Sequence, residues 1–232
     1  MKQVFLIKLS GEAMSGKNGF GLDFEYIEKL CLKIKECHDL GVGIGIVCGG
    51  GNFLRGRDAH VMDRETADYT GMLATVMNSL VLKDTFTRIG VPVYNQTGLS
   101  VKTIDDIDAG KAINAINDGK IVIFGGGTGK PFFSTDTGSA LRAKDINANV
   151  IVKLTNVDGV YDKDPRRDST ANKFTKMTHK EVLDRGLAVM DLTAATLCDQ
   201  NNIDIYVFDM NEKGNIAKAV NDCSFGTIIT NK

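Results

Sequence analysis

Three stretches of this chain are too apolar to be strands with one wet face. Val4-Phe5-Leu6-Ile7, Ile121-Val122-Ile123-Phe124 and Val150-Ile151-Val152 carry no polar residue at either alternating position. As strands they must be covered on both sides, the condition of a parallel sheet between helical layers. Each empties into a polar or glycine-rich turn, and segments of helical spacing lie between them. Leu22 to Leu40 places Ile27, Leu30, Cys31, Ile34 and Cys37 near a 3.6-residue period and stops at Gly41. Asp63 to Gly90 repeats the pattern through Met72, Val76, Leu80 and Val81. Shorter helices are expected over 141–146, 104–118, 182–195 with a break near Gly186, and 216–220. Further strands are expected over 42–48, 91–94, 100–103, 203–208 and 226–230. This alternation predicts an α/β three-layer sandwich, a mostly parallel central sheet covered by helices on both faces. No linker, low-complexity stretch or internal repeat interrupts residues 1–232, so a single domain is expected.

Composition narrows the partners. At 43% hydrophobic, 232 residues can bury a substantial core. The 28 basic and 29 acidic residues are interspersed, which argues against nucleic acid while leaving room for a small phosphorylated ligand that needs only a few local cations. Five scattered cysteines without a CxxC pair fit reduced thiols, and three histidines without an HExxH spacing leave little material for a zinc site. No apolar run approaches the roughly 20 residues of a membrane span, and the N-terminus shows no secretory pattern. A cytoplasmic protein without membrane association is expected.

Ligands of open α/β sheets bind at the carboxyl ends of the strands, so the residues just past each apolar run are the candidates. The first run delivers Lys8, Ser10 and Gly11, an ammonium beside a hydroxyl and a bare backbone. The strand ending at Cys48 delivers Gly49-Gly50-Gly51-Asn52, with Arg55 and Arg57 shortly after. Ile121–Phe124 delivers Gly125-Gly126-Gly127-Thr128-Gly129-Lys130-Pro131-Phe132-Phe133-Ser134-Thr135-Asp136. Three glycines expose amide N–H groups to an anion, while Thr128, Ser134 and Thr135 add hydroxyls. The fourth end delivers Thr155, Asp158, Tyr161 and Asp164, with an aromatic ring placed to stack on a base. Neither common nucleotide fingerprint is present. A Walker A loop ending at Gly129-Lys130 needs glycine at Phe124 and a hydroxyl at Pro131, and no run satisfies GxGxxG. Two glycine cradles instead suggest two phosphorylated groups and phosphoryl transfer, which asks of a protein mainly alignment and positive charge. Asp68 within the long helix is a candidate reader of a sugar hydroxyl. Asp191 among apolar neighbours is either an orienting acid or a helix-start residue. Residues 12 to 23, with Gly16, Gly19 and Gly21, read as a mobile loop.

Taken together, KLSGE at 8–12, GGGN at 49–52, DYTGMLATVMN at 68–78, GTGKPFFSTD at 127–136 and KLTNVDGVYDKDP at 153–165 resemble the bacterial UMP kinases of the amino acid kinase family. The resemblance extends through VMDL at 189–192 to the terminal GTIIT. It implies ATP contacts at Lys8, Ser10, Gly11, Gly51, Arg55, Thr155, Tyr161 and Asp164. It also implies a UMP site at Gly50, Asp68, Thr128, Gly129, Lys130, Pro131, Phe132, Phe133, Ser134 and Thr135. Lys8, Arg55 and Asp191 are the catalytic candidates, and Gly16, Lys17, Asn18, Gly19, Phe20 and Gly21 the candidate effector loop. Such enzymes use magnesium with ATP, form cytoplasmic homohexamers, are inhibited by UTP and in many cases activated by GTP; no protein ligand of the metal is assigned. The chain departs from the family pattern at Lys130, where Asn is usual, at Ser134, where Thr is usual, and at Thr70, where Met is usual.

Overall fold

A computed structural model of the chain describes residues 3–54, 61–187, 189–209, 216–222 and 225–231. Its strands are β1 (Val4–Leu9), β2 (Gly43–Cys48), β3 (Val93–Thr97), β4 (Asp105–Asp106), β5 (Ile121–Gly125), β6 (Val150–Thr155), β7 (Val160–Tyr161), β8 (Lys173–Phe174), β9 (Lys176–Thr178), β10 (Asp204–Asp209) and β11 (Gly226–Thr230). Its helices are α1 (Glu12–Ser15), α2 (Phe24–Asp39), α3 (Arg64–Arg88), α4 (Ala109–Asn117), α5 (Thr135–Asp145), α6 (His179–Asp184), α7 (Leu192–Gln200) and α8 (Ile216–Asp222). Among the described residues nine strands form one sheet in the order β4-β3-β5-β2-β1-β6-β10-β11-β9, while β7 and β8 pair separately. From β4 to β10 every pairing is parallel, and β11 turns antiparallel against β10.

The apolar runs take the central places. Phe5, Leu6 and Ile7 of β1 are fully buried because their alternating side chains enter two different cores. Phe5, Ile7 and Leu9 meet Ile27, Cys31 and Ile34 of α2 and Leu82 and Phe86 of α3. Leu6 and Ile151 meet Ala140 and Ala143 of α5 and Ala194 and Cys198 of α7 on the opposite face. The small residues of β2 are filled from the helical layer: a Cβ on Gly45 would stand 2.5 Å from Ile146 Cδ1, and one on Gly43 2.7 Å from Ile116 Cγ2. This is the expected three-layer sandwich, and it sets the carboxyl ends of β3, β5, β2, β1, β6 and β10 side by side.

Several local expectations change. Helix α5 begins at Thr135, within the glycine-rich motif, because Ser134 caps it by accepting from Thr137 N at 3.1 Å. The 104–118 segment is a two-residue strand followed by a helix that starts only at Ala109, where Asp108 caps it. Residues 100–103 make an isolated bridge between Val101 and Ile104 and form no strand. The 182–195 segment is two helices: Gly186, at φ 61°, ends the turn after α6, and Asp191 starts α7. The 12–23 stretch is structured, with α1 and a 3-10 turn at Gly16–Asn18. Met14 O accepts from Asp23 N at 2.8 Å, closing it on itself.

Candidate functional site

The chemistry concentrates where β1 and β6 end. Lys8 and Lys153 occupy matched positions on these adjacent parallel strands, so their side chains leave the sheet on one face. Two ammoniums at that spacing require an anion. Asp136, in the first turn of α5, supplies it: Oδ1 lies 2.9 Å from Lys8 Nζ and Oδ2 lies 3.3 Å from Lys153 Nζ. All three side chains are between 13% and 18% exposed, which keeps the cluster strongly coupled yet open on one side. Burial by itself would raise the Asp136 carboxyl, but Lys8 and Lys153 outweigh it and hold the group below the ordinary carboxylate range. Burial, with Lys8 adding to it, pushes the Lys153 ammonium down against the pull of Asp136. Lys153 also donates to the Val189 carbonyl.

Two clefts flank this cluster. The larger, about 660 Å³, runs along α3 and the glycine-rich loop and is lined by Gly50, Gly51, Arg64, Asp68, Thr75, Lys130, Phe133, Ser134 and Thr135, among others. The smaller, about 480 Å³, is lined by Lys153, Thr155, Gly159, Tyr161, Asp164, Val189 and Val207 with their neighbours. Lys153 lines the second, and Asp136 directly follows the Ser134 and Thr135 that line the first. The smaller cleft thus reaches the cluster through Lys153, and the larger borders it at the start of α5.

The turns beside the larger cleft are held by close approach of backbone. A Cβ on Gly11 would lie 2.2 Å from Gly51 N, so the turns after β1 and β2 touch through bare backbone. A Cβ on Gly51 itself would meet nothing within 4 Å, leaving its position open toward the cleft. Beneath this turn Asn52 and Asn78, both buried, exchange amide hydrogen bonds at 2.9 and 2.8 Å, and Asn78 donates to Gly49 O at 2.8 Å. Farther along, Gly129 lies at φ 75° with its absent Cβ 2.2 Å from Gly98 O. Phe132 is in the left-handed region at φ 69°, a costly conformation for an aromatic residue. It is held there by its N–H, which donates to Asp68 Oδ2 at 2.7 Å, and by the Arg64 guanidinium 5.8 Å from its ring.

A family model described as the amino acid kinase family matches residues 3–209 of this chain. The chain belongs to the amino acid kinase family. Solved structures agree over nearly its whole length. UMP kinase from Bacillus anthracis matches with a TM-score of 0.94 at 33% identity, covering 99% of this chain and 96% of that one. UMP kinase from Ureaplasma parvum matches at 0.93 and 33% identity, covering 99% of each chain. As an amino acid kinase the protein is a phosphotransferase, and its sheet and helices are those of that fold.

In this amino acid kinase the sequence candidates separate into groups. Gly50, Gly51, Asp68, Lys130, Phe133, Ser134 and Thr135 share the larger cleft, while Thr155, Tyr161 and Asp164 share the smaller. Lys8 lines neither and is paired with Asp136. Ser10 sits at the turn after β1, its Oγ accepting from Ala13 N at 3.3 Å. Thr128 Oγ1 bridges Lys130 N and O, closing the loop locally. Asp68 is engaged by both Arg64 and Phe132 N–H, so it tethers loop to helix as well as facing the cleft. Arg55 and Arg57 lie outside the described residues. Asp191 does not reach Lys8: it caps α7 through Ala194 N at 2.9 Å and accepts from Ser134 and Thr137, so the acid that meets Lys8 is Asp136. In the smaller cleft, Asp158 accepts from Tyr161 Oη at 2.8 Å and pairs with Lys173 at 2.9 Å, fixing the tyrosine ring. The 16–21 stretch is joined to the β2 turn by Gly21 N to Asn52 O at 2.8 Å and Asn52 Nδ2 to Gly21 O at 2.9 Å.

Sequence reasoning passed over Asp136 and Lys153 as site residues. The signal for Lys153 was there, a lysine interrupting the Val150–Leu154 apolar run at the same place where Lys8 interrupts Val4–Leu9. Asp136 carried no comparable signal, because an acid in the first turn of a helix is commonplace.

Proposed function

We propose that the protein is a UMP kinase, transferring the γ-phosphoryl group of ATP to UMP to give UDP and ADP, a step of pyrimidine nucleotide synthesis. The observation that carries this reading is the Lys8–Asp136–Lys153 cluster, with one nucleotide-sized cleft lined by Lys153 and a second lined by Ser134 and Thr135 next to Asp136. The names of both structural neighbours support it. ATP takes the smaller cleft, its base against Tyr161 near Thr155 and Asp164 and its phosphates toward Lys8, Ser10, Gly11, Gly51 and Arg55. UMP takes the larger, between Gly50, Asp68 and the Thr128–Thr135 loop.

A phosphate oxygen of UMP attacks the γ-phosphorus in line; the new O–P bond forms as the bond to the β,γ-bridging oxygen breaks, and that electron pair leaves on ADP. No general base is needed, since the attacking oxygen is already anionic. Lys8 and Lys153 face the charge that spreads over the transferred group, and Asp136 holds both ammoniums in place before substrate arrives. Asp191 acts as a positioning residue, through Ser134 and Thr137 at the start of α5.

Magnesium would enter with ATP. Among the described residues no group of three or more His, Cys, Asp or Glu side chains could hold a metal, and both oxygens of Asp136 face ammoniums. This donor set fits an ion ligated mainly by nucleotide phosphates and water, neutralising their charge. We also propose one domain, a homohexameric cytoplasmic enzyme, inhibition by UTP and activation by GTP through residues 16–21, which adjoin the β2 turn. Among the described residues no helix is long and apolar enough to cross a membrane. The test is ADP release from ATP with UMP, CMP, aspartate or acetylglutamate as acceptor. Turnover with UMP well above the others is expected, and binding of UMP without turnover would overturn the reading.

A further inference from the structure

We infer that Thr227 is a positioning residue for the nucleotide of the smaller cleft: its hydroxyl fastens the β7–β8 ribbon, and with it Tyr161, to the nine-stranded sheet. The inference rests on the assignment of ATP to that cleft. Strands β7 and β8 have two residues each and form a sheet of their own. A ribbon so short does not hold its own place. Yet Gly159, Val160, Tyr161 and Asp162 all line the cleft, so the place of β7 sets its shape. The chain after β8 joins the main sheet directly, with Ile228 N donating to Thr175 O at 3.0 Å and β9 pairing with β11. β7, which carries the tyrosine, needs another tie.

Thr227 supplies it. The residue is fully buried near the start of β11, opposite Val207 of β10, and Val207 also lines the cleft. A hydroxyl can accept and donate at once, and this one does both. It accepts from Val160 N at 2.8 Å and donates to the Phe174 carbonyl. Val160 and Phe174 are directly opposed in the ribbon, so one side chain ties both of its strands at a single point. The fit is close: a Cβ on Gly159 would stand 2.7 Å from Thr227 Oγ1. Asp158, held by Lys173, orients the tyrosine ring within the ribbon, whereas Thr227 orients the ribbon against the sheet that carries Lys153. Removing the hydroxyl leaves a backbone N–H and a carbonyl without that partner, and the ribbon gains by moving away to find water. None of these residues lines the larger cleft, so the effect belongs to one nucleotide.

The experiment compares the wild type with Thr227→Val, which keeps the shape without the hydroxyl, and Thr227→Ser, which keeps the hydroxyl. Steady-state kinetics are measured with ATP and UMP varied in turn, and ADP and UMP binding by calorimetry. Thr227→Val should raise KM for ATP and Kd for ADP about tenfold, as the loss of a buried hydrogen bond would. Its kcat and its constants for UMP should stay put, and Thr227→Ser should resemble the wild type. An unchanged KM for ATP in Thr227→Val would overturn the inference. So would an equal rise for both substrates, the sign of general loosening, or a Thr227→Ser as impaired as Thr227→Val. Hydrogen exchange on the wild type gives a reading that no variant's folding can disturb: the Val160 amide should be protected, and more so with ADP bound but not with UMP. A freely exchanging Val160 would overturn the link. Failure of the underlying reading is distinct, because the wild type itself would then bind no ADP and the inference would fall with it.

Discussion

The two clefts near the lysine cluster are built by different means. The larger one is bounded in part by backbone: glycines at 11, 50 and 129 bring chain segments within distances no Cβ would allow, and Phe132 is held in a left-handed conformation. The smaller one is arranged by side chains, with Asp158 accepting from Tyr161 and pairing with Lys173 on the short β7–β8 ribbon. Backbone in close contact gives a stiff surface rich in N–H donors, suited to a small anion in one position. Side-chain tethers on a half-buried ribbon orient a ring through hydrogen bonds and an ion pair. Substitutions should therefore divide by cleft, with the shared cluster standing above both.

The largest effect belongs to that cluster. Lys8→Ala should lower kcat on the order of 10³-fold, because its charge is needed most when the transferred group is separating, and change KM for UMP only a few-fold. Steady-state kinetics with both substrates varied decides it, and an unaltered kcat would remove Lys8 from the reaction. Next comes the stiff wall. Gly129→Ala must place a Cβ against Gly98 O in a left-handed backbone, and should cost about 3 kcal/mol of stability. A denaturation midpoint equal to that of the wild type would show that this wall can yield and would erase the contrast.

A smaller effect tests the other side. Asp158→Ala frees Tyr161 and Lys173 and should raise KM for ATP about tenfold, near 1.4 kcal/mol, while KM for UMP stays put. Equal changes in both constants would mean that the clefts are not separate. The smallest effect is in pH dependence. Asp136 has its folded carboxyl depressed, so its stabilising contribution is fully present above the unfolded value of about 3.9 and is lost as pH falls through the folded value. The difference in Tm between the wild type and Asp136→Asn should thus be level from neutrality to about pH 5 and shrink below about pH 4. A difference that grows on acidification would contradict the assigned charge state.

The layered architecture was legible because its central strands are apolar on both faces, which only a doubly covered sheet accommodates. The glycine cradles were legible for a similar reason, as a run of three glycines at a strand end is unfavourable unless backbone must come close to something. Element boundaries were less so. Ser134 and Asp108 decide where α5 and α4 begin, and a cap acts through a hydrogen bond that apolar periodicity does not encode. Asp191 shows the same limit. As a lone acid among apolar residues it invites a catalytic role, whereas its carboxylate caps α7 and accepts from Ser134 and Thr137.

The sequence by itself determined the class of fold and the two glycine-rich turns at strand ends, because these follow from local pattern: burial on two faces and bare backbone. Only the tertiary structure decided which groups meet. Lys8 and Lys153 are 145 positions apart and become neighbours through the pairing of β1 with β6, and Asp136 joins them because α5 packs over that edge. The register of parallel strands is a long-range property, so an ion cluster assembled across it leaves no pattern along the chain.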